Sequence, residues 1–266
     1  MSDKEKKMNR VFRRASYKFL YLLAKNLGVA SVLFLWWLVT FIDIIDPMLL
    51  PGPGNTFISL FTNLFGGDLF KDFLFTTYRT LSSFLIAILL GIPLGLVIGA
   101  KREIYNSFEF LIDFFRSTPA TALFPLFLVI FGVGDLSRIA VASFASFLII
   151  LFNVAYGVLN VKKTRVQAAQ VMGAPKWRIF LDVIFFETLP QTFIGLRTSL
   201  SLTLVVIIIA EMFIGATNGL GHRITDAQQA YDMTKMYSSI IATGIMGYVL
   251  NYVVLKLEHK FIHWKT

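Results

Sequence analysis

Residues 80–100 contain no charged side chain, and neither do residues 139–161. About 20 consecutive apolar residues are what an α-helix needs to cross the hydrocarbon core of a bilayer. In that solvent every backbone polar group must be bonded inside the segment, which leaves a helix as the structure open to such a run. Four further stretches are long or apolar enough to consider as spans: residues 27–45, 120–133, 194–215 and 238–257. The 120–133 stretch is short alone and is expected to extend back through residues 108–119, bent by Pro119 and Pro125. Composition agrees: 56% of the 266 residues are hydrophobic, 15% are charged and mean hydropathy is +0.69. Soluble domains carry about 25% charged residues. The expectation is an all-α polytopic membrane protein with six transmembrane helices.

Lys and Arg set the sides, because loops facing the cytoplasm carry them in excess. Of the 25 Lys and Arg, all but Lys71, Arg79, Arg138, Arg223 and Lys235 fall on one side of the expected spans. Both termini are therefore expected in the cytoplasm. The net charge of +9 does not indicate a nucleic-acid partner, since the basic residues cluster beside apolar runs. The chain divides into a basic arm (1–26), a first span with an outer loop (27–79), a core (80–260) with a cytoplasmic loop at 162–193, and a tail (261–266). The arm is too long and too charged, and lacks a small-residue cleavage site, to read as a removable signal peptide. It is either an interfacial helix on the anionic inner leaflet or a basic topogenic tail.

Loops as long as 162–193, and 216–237 on the outer side, usually carry structure or function. In the first, residues up to Met172 are good helix formers and Gly173 suits a left-handed helix stop. Pro175 suits the first turn of a new helix. In that helix Trp177, Phe180, Leu181 and Ile184 recur at helical spacing. The expected product is a helix–Gly–helix elbow presenting the small residues Ala168, Ala169 and Ala174 and one large aromatic, Trp177. Small side chains let a partner approach closely, and the elbow can transmit its push.

This loop resembles the cytoplasmic loop of bacterial ABC-importer permeases, E-A-A-x3-G-x9-I-x-L-P. Gln167-Ala168-Ala169 and Gly173 keep the spacing. Gln167 stands where the family has Glu, and Phe186 where it has Pro, although Leu189-Pro190 follows as in one branch. Similarity continues in Leu49-Leu50-Pro51-Gly52-Pro53, Gly91-Ile92-Pro93-Leu94-Gly95, Arg116-Ser117-Thr118-Pro119 with Pro125-Leu126, Phe131-Gly132-Val133-Gly134, and Ala210-Glu211-Met212 with Gly219-Leu220-Gly221. These resemble the nitrate/sulfonate/taurine permease branch, which includes bicarbonate and pyrimidine-precursor carriers, over residues 45–262. The resemblance implies a type I importer permease fold in the bacterial inner membrane. It also implies a second, identical permease chain, two cytoplasmic ATPase subunits and an extracytoplasmic solute-binding protein. Gln167, Ala168, Ala169, Gly173, Ala174, Pro175 and Trp177 are then the ATPase-coupling residues. A neutral Gln167 keeps a hydrogen bond to the ATPase but loses the ion pair, so altered docking affinity is expected.

The chain lacks the G-x-x-x-x-G-K-[ST] loop, so the motor must be a separate polypeptide. No cofactor is expected, and no cysteine, H-E-x-x-H or G-x-S-x-G pattern occurs. His259 and His263 have metal-ligand spacing but no third ligand nearby, and a membrane-surface role is the better reading. Intramembrane polar groups are the default functional candidates, because burying them in lipid is costly. Thr118, Pro119, Pro125, Asn153 and Glu211 are the pathway or gate candidates. Glu211 either faces the route or accepts hydrogen bonds from the backbone of residues 216–221. Asn153 either joins helices or lines the route. Asp113 and Arg116 should form a local ion pair. Gly91, Gly95 and Gly99 should mark close helix packing. Two rivals stay open: an ion-gradient carrier, which needs buried charges in several spans, and a non-transporting membrane scaffold. The transported solute is left open, since no residue in the spans separates nitrate, alkanesulfonate, taurine, bicarbonate or a neutral heterocycle.

Overall fold

The computed structural model describes residues 27–262. Among these every regular element is helical: α1 (Leu27–Phe41), α2 (Pro53–Gly66), α3 (Leu69–Gly99), α4 (Arg102–Ser117), α5 (Phe124–Phe131), α6 (Asp135–Leu159), α7 (Lys163–Val171), α8 (Lys176–Phe213), α9 (Leu220–Gln229) and α10 (Met233–Phe261). The basic arm, His263 and most of the tail lie outside the described residues.

Four helices are long and apolar enough to cross a membrane: α3, α6, α8 and α10. The pair α4 with residues 120–131 counts as a fifth if taken together, bent by 92° at its break. The expected six spans are thus matched only as four or five among the described residues. The described part of α1 is a shorter apolar helix.

Spans are longer than their apolar runs. α3 begins eleven residues before Thr80 and carries Asp72 and Arg79 inside the helix, both buried. α8 begins at Lys176, so the expected cytoplasmic loop is mostly helix, and its second helix is the start of a span. The expected 216–237 outer loop contains α9. Hydropathy misses the start of α3 because Asp72 and Arg79 interrupt the apolar run, and both are paired inside the protein.

Three helices make the core: α6 packs against both α3 and α8, which also touch each other. Glycines permit the approach of α3. A Cβ on Gly95 would stand 2.7 Å from the Val154 Cβ, and one on Gly99 would stand 2.7 Å from the Ala155 carbonyl oxygen. On Gly91 it would meet Ile150 at 2.9 Å. The close packing expected for this triplet is what the structure has. Phe84, Ala87, Ile150, Val154, Phe193 and Leu200 fill the seam. Outward faces stay apolar, as in Leu89, Leu90, Val205 and Tyr248, which suits contact with acyl chains.

Candidate functional site

At one end of the bundle, α7 and α8 meet in the elbow expected from the sequence. Gly173 has φ +77°, the left-handed region that L side chains rarely adopt. Its N–H donates to Gln170 O at 2.9 Å, and Ala174 N–H donates to Ala169 O at 3.1 Å, closing the end of α7. Nothing lies within 4 Å of where a Gly173 Cβ would stand, so backbone conformation alone demands glycine. Pro175, at φ −70° and ψ 153°, caps the start of α8 rather than standing in its first turn.

The single apolar face expected for the second helix is not formed. Residues 179–185 make a π-helical turn. The wider turn shifts the register, so Ile179 is buried while Trp177 and Leu181 are exposed. Gln167 and Ala168 are exposed and Ala169 is buried. The elbow is braced by Glu187, whose carboxylate meets Arg165 at 3.3 Å and accepts from Lys162 N–H at 3.3 Å. A cleft of about 350 Å³ opens between Ala168, Met172, Asp182 and Glu187. Val171 (89% exposed), Met172 (79%) and Trp177 (62%) ring the turn. Three large apolar side chains on a polar helix end are an uncovered contact surface.

The opposite end holds a network the sequence reading missed. Arg79 donates through Nη1 to Glu211 Oε1 at 2.7 Å and to Asn218 O at 2.7 Å, and through Nε to Asp135 Oδ1 at 2.9 Å. Arg138 donates to Asp135 Oδ1 at 2.6 Å and to Ile214 O at 3.0 Å. Glu211 also accepts from Thr76 and from Gly221 N–H at 2.9 Å. Asp72 accepts from Gly219 N–H at 2.8 Å and pairs with Arg223 at 3.3 Å. Glu211 accepts a hydrogen bond from the backbone at Gly221, with a buried cation added. Arg79, Arg138 and Arg223 had served as markers of the outer side, and all three are buried. Asp135 and Arg138, three residues apart, carried the spacing that should have suggested a pair.

Buried charges such as Arg79 and Arg138 therefore stand in the spanning helices outside the uncharged runs 80–100 and 139–161. Asp135, Arg138 and Glu211 lie within a few residues of the ends of helices of spanning length, and Arg79 lies well inside α3.

Asn153 is in mid-helix on α6. Its Oδ1 accepts from Gln191 Nε2 at 2.9 Å, and a Cβ on Gly195 would stand 2.6 Å from the Asn153 Cβ. It joins α6 to α8. Thr118 and Pro119 form the break between α4 and the 120–131 segment, with Thr118 extended at ψ 124°. Proline disfavours a helical residue before it, which is why α4 stops at Ser117. Pro125 does not bend a helix: it stands in the first turn of α5. Asp113 and Arg116 pair at 3.0 Å as expected, and the guanidinium lies 4.0 Å over the Phe152 ring. The described residues hold no group of three or more His, Asp or Glu able to bind a metal.

Comparison with known proteins bears on this geometry. Residues 87–259 match the family model for the binding-protein-dependent transport system inner membrane component. A probable ABC transporter permease protein of Brucella abortus (strain 2308) is 31% identical over 246 residues, 92% of this chain and 95% of that protein. The taurine transport system permease protein TauC of Escherichia coli (strain K12) is 27% identical over 245 residues, 90% of this chain and 89% of that protein. Among solved structures, an inward-facing form of the MetNI methionine ABC transporter superposes with a TM-score of 0.64 at 20% identity, covering 73% of this chain and 95% of that one.

Proposed function

Because this chain belongs to the family of binding-protein-dependent transport system inner membrane components, we propose that its Gly173 elbow carries the drive of an ATPase to a solute route between its spans. The chain is a multi-pass inner-membrane permease subunit of an ABC importer, and ATP is hydrolysed on a separate subunit. It works as two copies with two ATPase subunits and an extracytoplasmic binding protein, with both termini in the cytoplasm. The solute belongs to the taurine, sulfonate and nitrate class named for its relatives.

The observation that carries this reading is the exposed apolar ring of Val171, Met172 and Trp177 around a rigid left-handed glycine. Gln167 and Ala168 sit beside it, where an ATPase surface would dock. ATP-driven closure of the ATPase pair pulls the two elbows together. Each elbow continues without interruption into α8, so its displacement reaches the Glu211 end of the same helix. Such a drive biases a two-state element by differential contacts.

The gradient-driven reading needs titratable groups exposed to a route. Here the buried Asp72 and Glu211 meet the buried Arg223 and Arg79, and the half-exposed Asp135 is engaged by both Arg79 and Arg138. The discriminating experiment is ATP hydrolysis by the permease reconstituted in lipid with its ATPase and binding protein, across a panel of taurine, ethanesulfonate, nitrate and bicarbonate. Stimulation by one loaded binding protein supports the reading and names the solute. Absence of ATPase association would sink it.

A further inference from the structure

A second cleft, of about 360 Å³, opens where the spanning helices α3 and α6 end beside α7. Gly99 lines it from the end of α3 and Val158 from the end of α6. α7 contributes Lys163, Val166, Gln167 and Gln170, whose spacing makes them one face of that helix. Arg165, Ala168, Ala169 and Met172, on the opposite face, line the cleft beside Asp182 and Glu187. Arg102, the first residue of α4, also lines the second cleft. Its charges are of one sign. Arg102 and Lys163 are exposed and have no acidic partner among the described residues. No acid of the described residues lines the cleft: Glu103 is not among its walls, and Glu187 is engaged by Arg165 and Lys162 N–H. Two unpaired cations in one cleft repel unless an anion joins them. Each also stands in the first turn of a helix without a side-chain cap, where the backbone dipole favours an anion over a cation. A bound anion answers both problems.

We propose that this cleft binds the phosphate of an anionic phospholipid, held by Arg102 and Lys163 with the amides of Gln167 and Gln170 as further donors. Depth identifies the carrier of the phosphate. The cleft lies at the level where two spanning helices stop, which is headgroup level in a bilayer. α3 keeps Leu94 and Val97 exposed close to its end, and α4 exposes Phe108, Phe110 and Leu111, so apolar faces suited to acyl chains lead up to the site. Basic pockets between membrane helices on the cytoplasmic side take anionic headgroups for the same reasons. At roughly 30 Å³ per water-sized group, the volume suits a glycerophosphate better than a bare ion. Gln167 matters as a neutral side chain, since a carboxylate at 167 would set a negative charge against the ligand. The inference goes beyond the importer reading and borrows from it only the side: the elbow faces the cytoplasm, so the lipid belongs to the inner leaflet. A lipid held here ties α7, and with it the elbow, to the membrane surface.

The test is native mass spectrometry of the full-length permease with its ATPase, released from micelles doped with phosphatidylglycerol or phosphatidylcholine. Preferential retention of phosphatidylglycerol is expected. Arg102→Gln and Lys163→Gln should each weaken it about five-fold, and together roughly thirty-fold, the scale of basic residues at an anionic membrane surface. Gln167→Glu should weaken it too. Lys260→Gln, which removes an exposed cation from the end of α10, should not. Excess inorganic phosphate should leave the lipid in place. Retained ATPase association identifies folded variants. Equal retention of the two lipids by the wild-type complex overturns the proposal and leaves the importer reading standing. Unchanged retention in the Arg102→Gln/Lys163→Gln variant overturns it as well, as does an equal loss in Lys260→Gln. Displacement by inorganic phosphate overturns the lipid and gives the cleft to a soluble anion. A wild-type chain that prefers phosphatidylglycerol through Arg102 and Lys163 yet binds no ATPase keeps the cleft and removes the importer reading.

Discussion

Arg79 and Glu211, 132 positions apart in the chain, meet at 2.7 Å with both side chains almost wholly withdrawn from solvent. The contact ties α3 to the far end of α8. With Gly221 N–H also on Glu211, the same carboxylate pins the start of α9. The end of the bundle opposite the elbow is thereby clamped as one unit, so movement of α8 from the elbow has a fixed point to work against.

Breaking that contact from one side leaves a buried charge uncompensated. Glu211→Ala should destabilise the folded protein by about 3–5 kcal/mol, the usual cost of removing one partner of a buried pair. Chemical unfolding in detergent micelles measures it. A loss below about 1 kcal/mol would show that the pair is hydrated.

Gly173 carries its requirement in its backbone. A non-glycine L-residue in the left-handed region pays about 1–2 kcal/mol. Gly173→Val should insert normally and bind ATP-loaded partner, yet lose solute uptake per ATP hydrolysed. Gly173→Asn, which visits that region more readily, should keep most of it. Normal coupling in the valine variant would remove the elbow's assigned role.

Glycines at the α3–α6 seam should behave oppositely to those in open space. Gly95→Leu forces α3 away from Val154 and should cost at least the 1–3 kcal/mol typical of overpacking. Gly244→Ala, with nothing within 4 Å, should be neutral or slightly stabilising. Equal thermal shifts for the two variants would contradict the packing seen here.

Asn153 and Gln191 offer a double-mutant cycle. Inter-helix polar contacts in membranes couple by about 0.6 kcal/mol on average, to a maximum near 1.7. A coupling inside that range for Asn153→Ala with Gln191→Ala is expected from unfolding measurements. A value near zero would mean that Asn153 faces the route instead of gluing α6 to α8.

Trp177 is exposed, so Trp177→Ala should change stability by no more than about 0.5 kcal/mol. Association with the ATPase subunit should weaken markedly, as it does when an aromatic anchor is lost from an interface. A pull-down of ATPase unchanged by Trp177→Ala would place the docking surface elsewhere on the elbow.

Periodicity and apolar length made much of this readable in advance. The uncharged runs at 80–100 and 139–161 fall almost wholly within α3 and α6, because lipid accepts only helices there. Gly173 was legible because few residues tolerate its conformation, and the Asp113–Arg116 pair because i,i+3 neighbours must meet. The π turn at 179–185 was not legible: it changes the register without any Pro or Gly to announce it.

The charged network shows the same division most clearly. Sequence alone determined that the chain is a helical membrane protein with a glycine elbow, since those features follow from local chemistry and the solvent. Tertiary structure decided that Arg79, Arg138 and Arg223 are buried partners rather than markers of an outer surface. Their partners Glu211, Asp135 and Asp72 come from distant positions for Arg79 and Arg223, and a charge can leave water only where folding brings its counter-charge within reach.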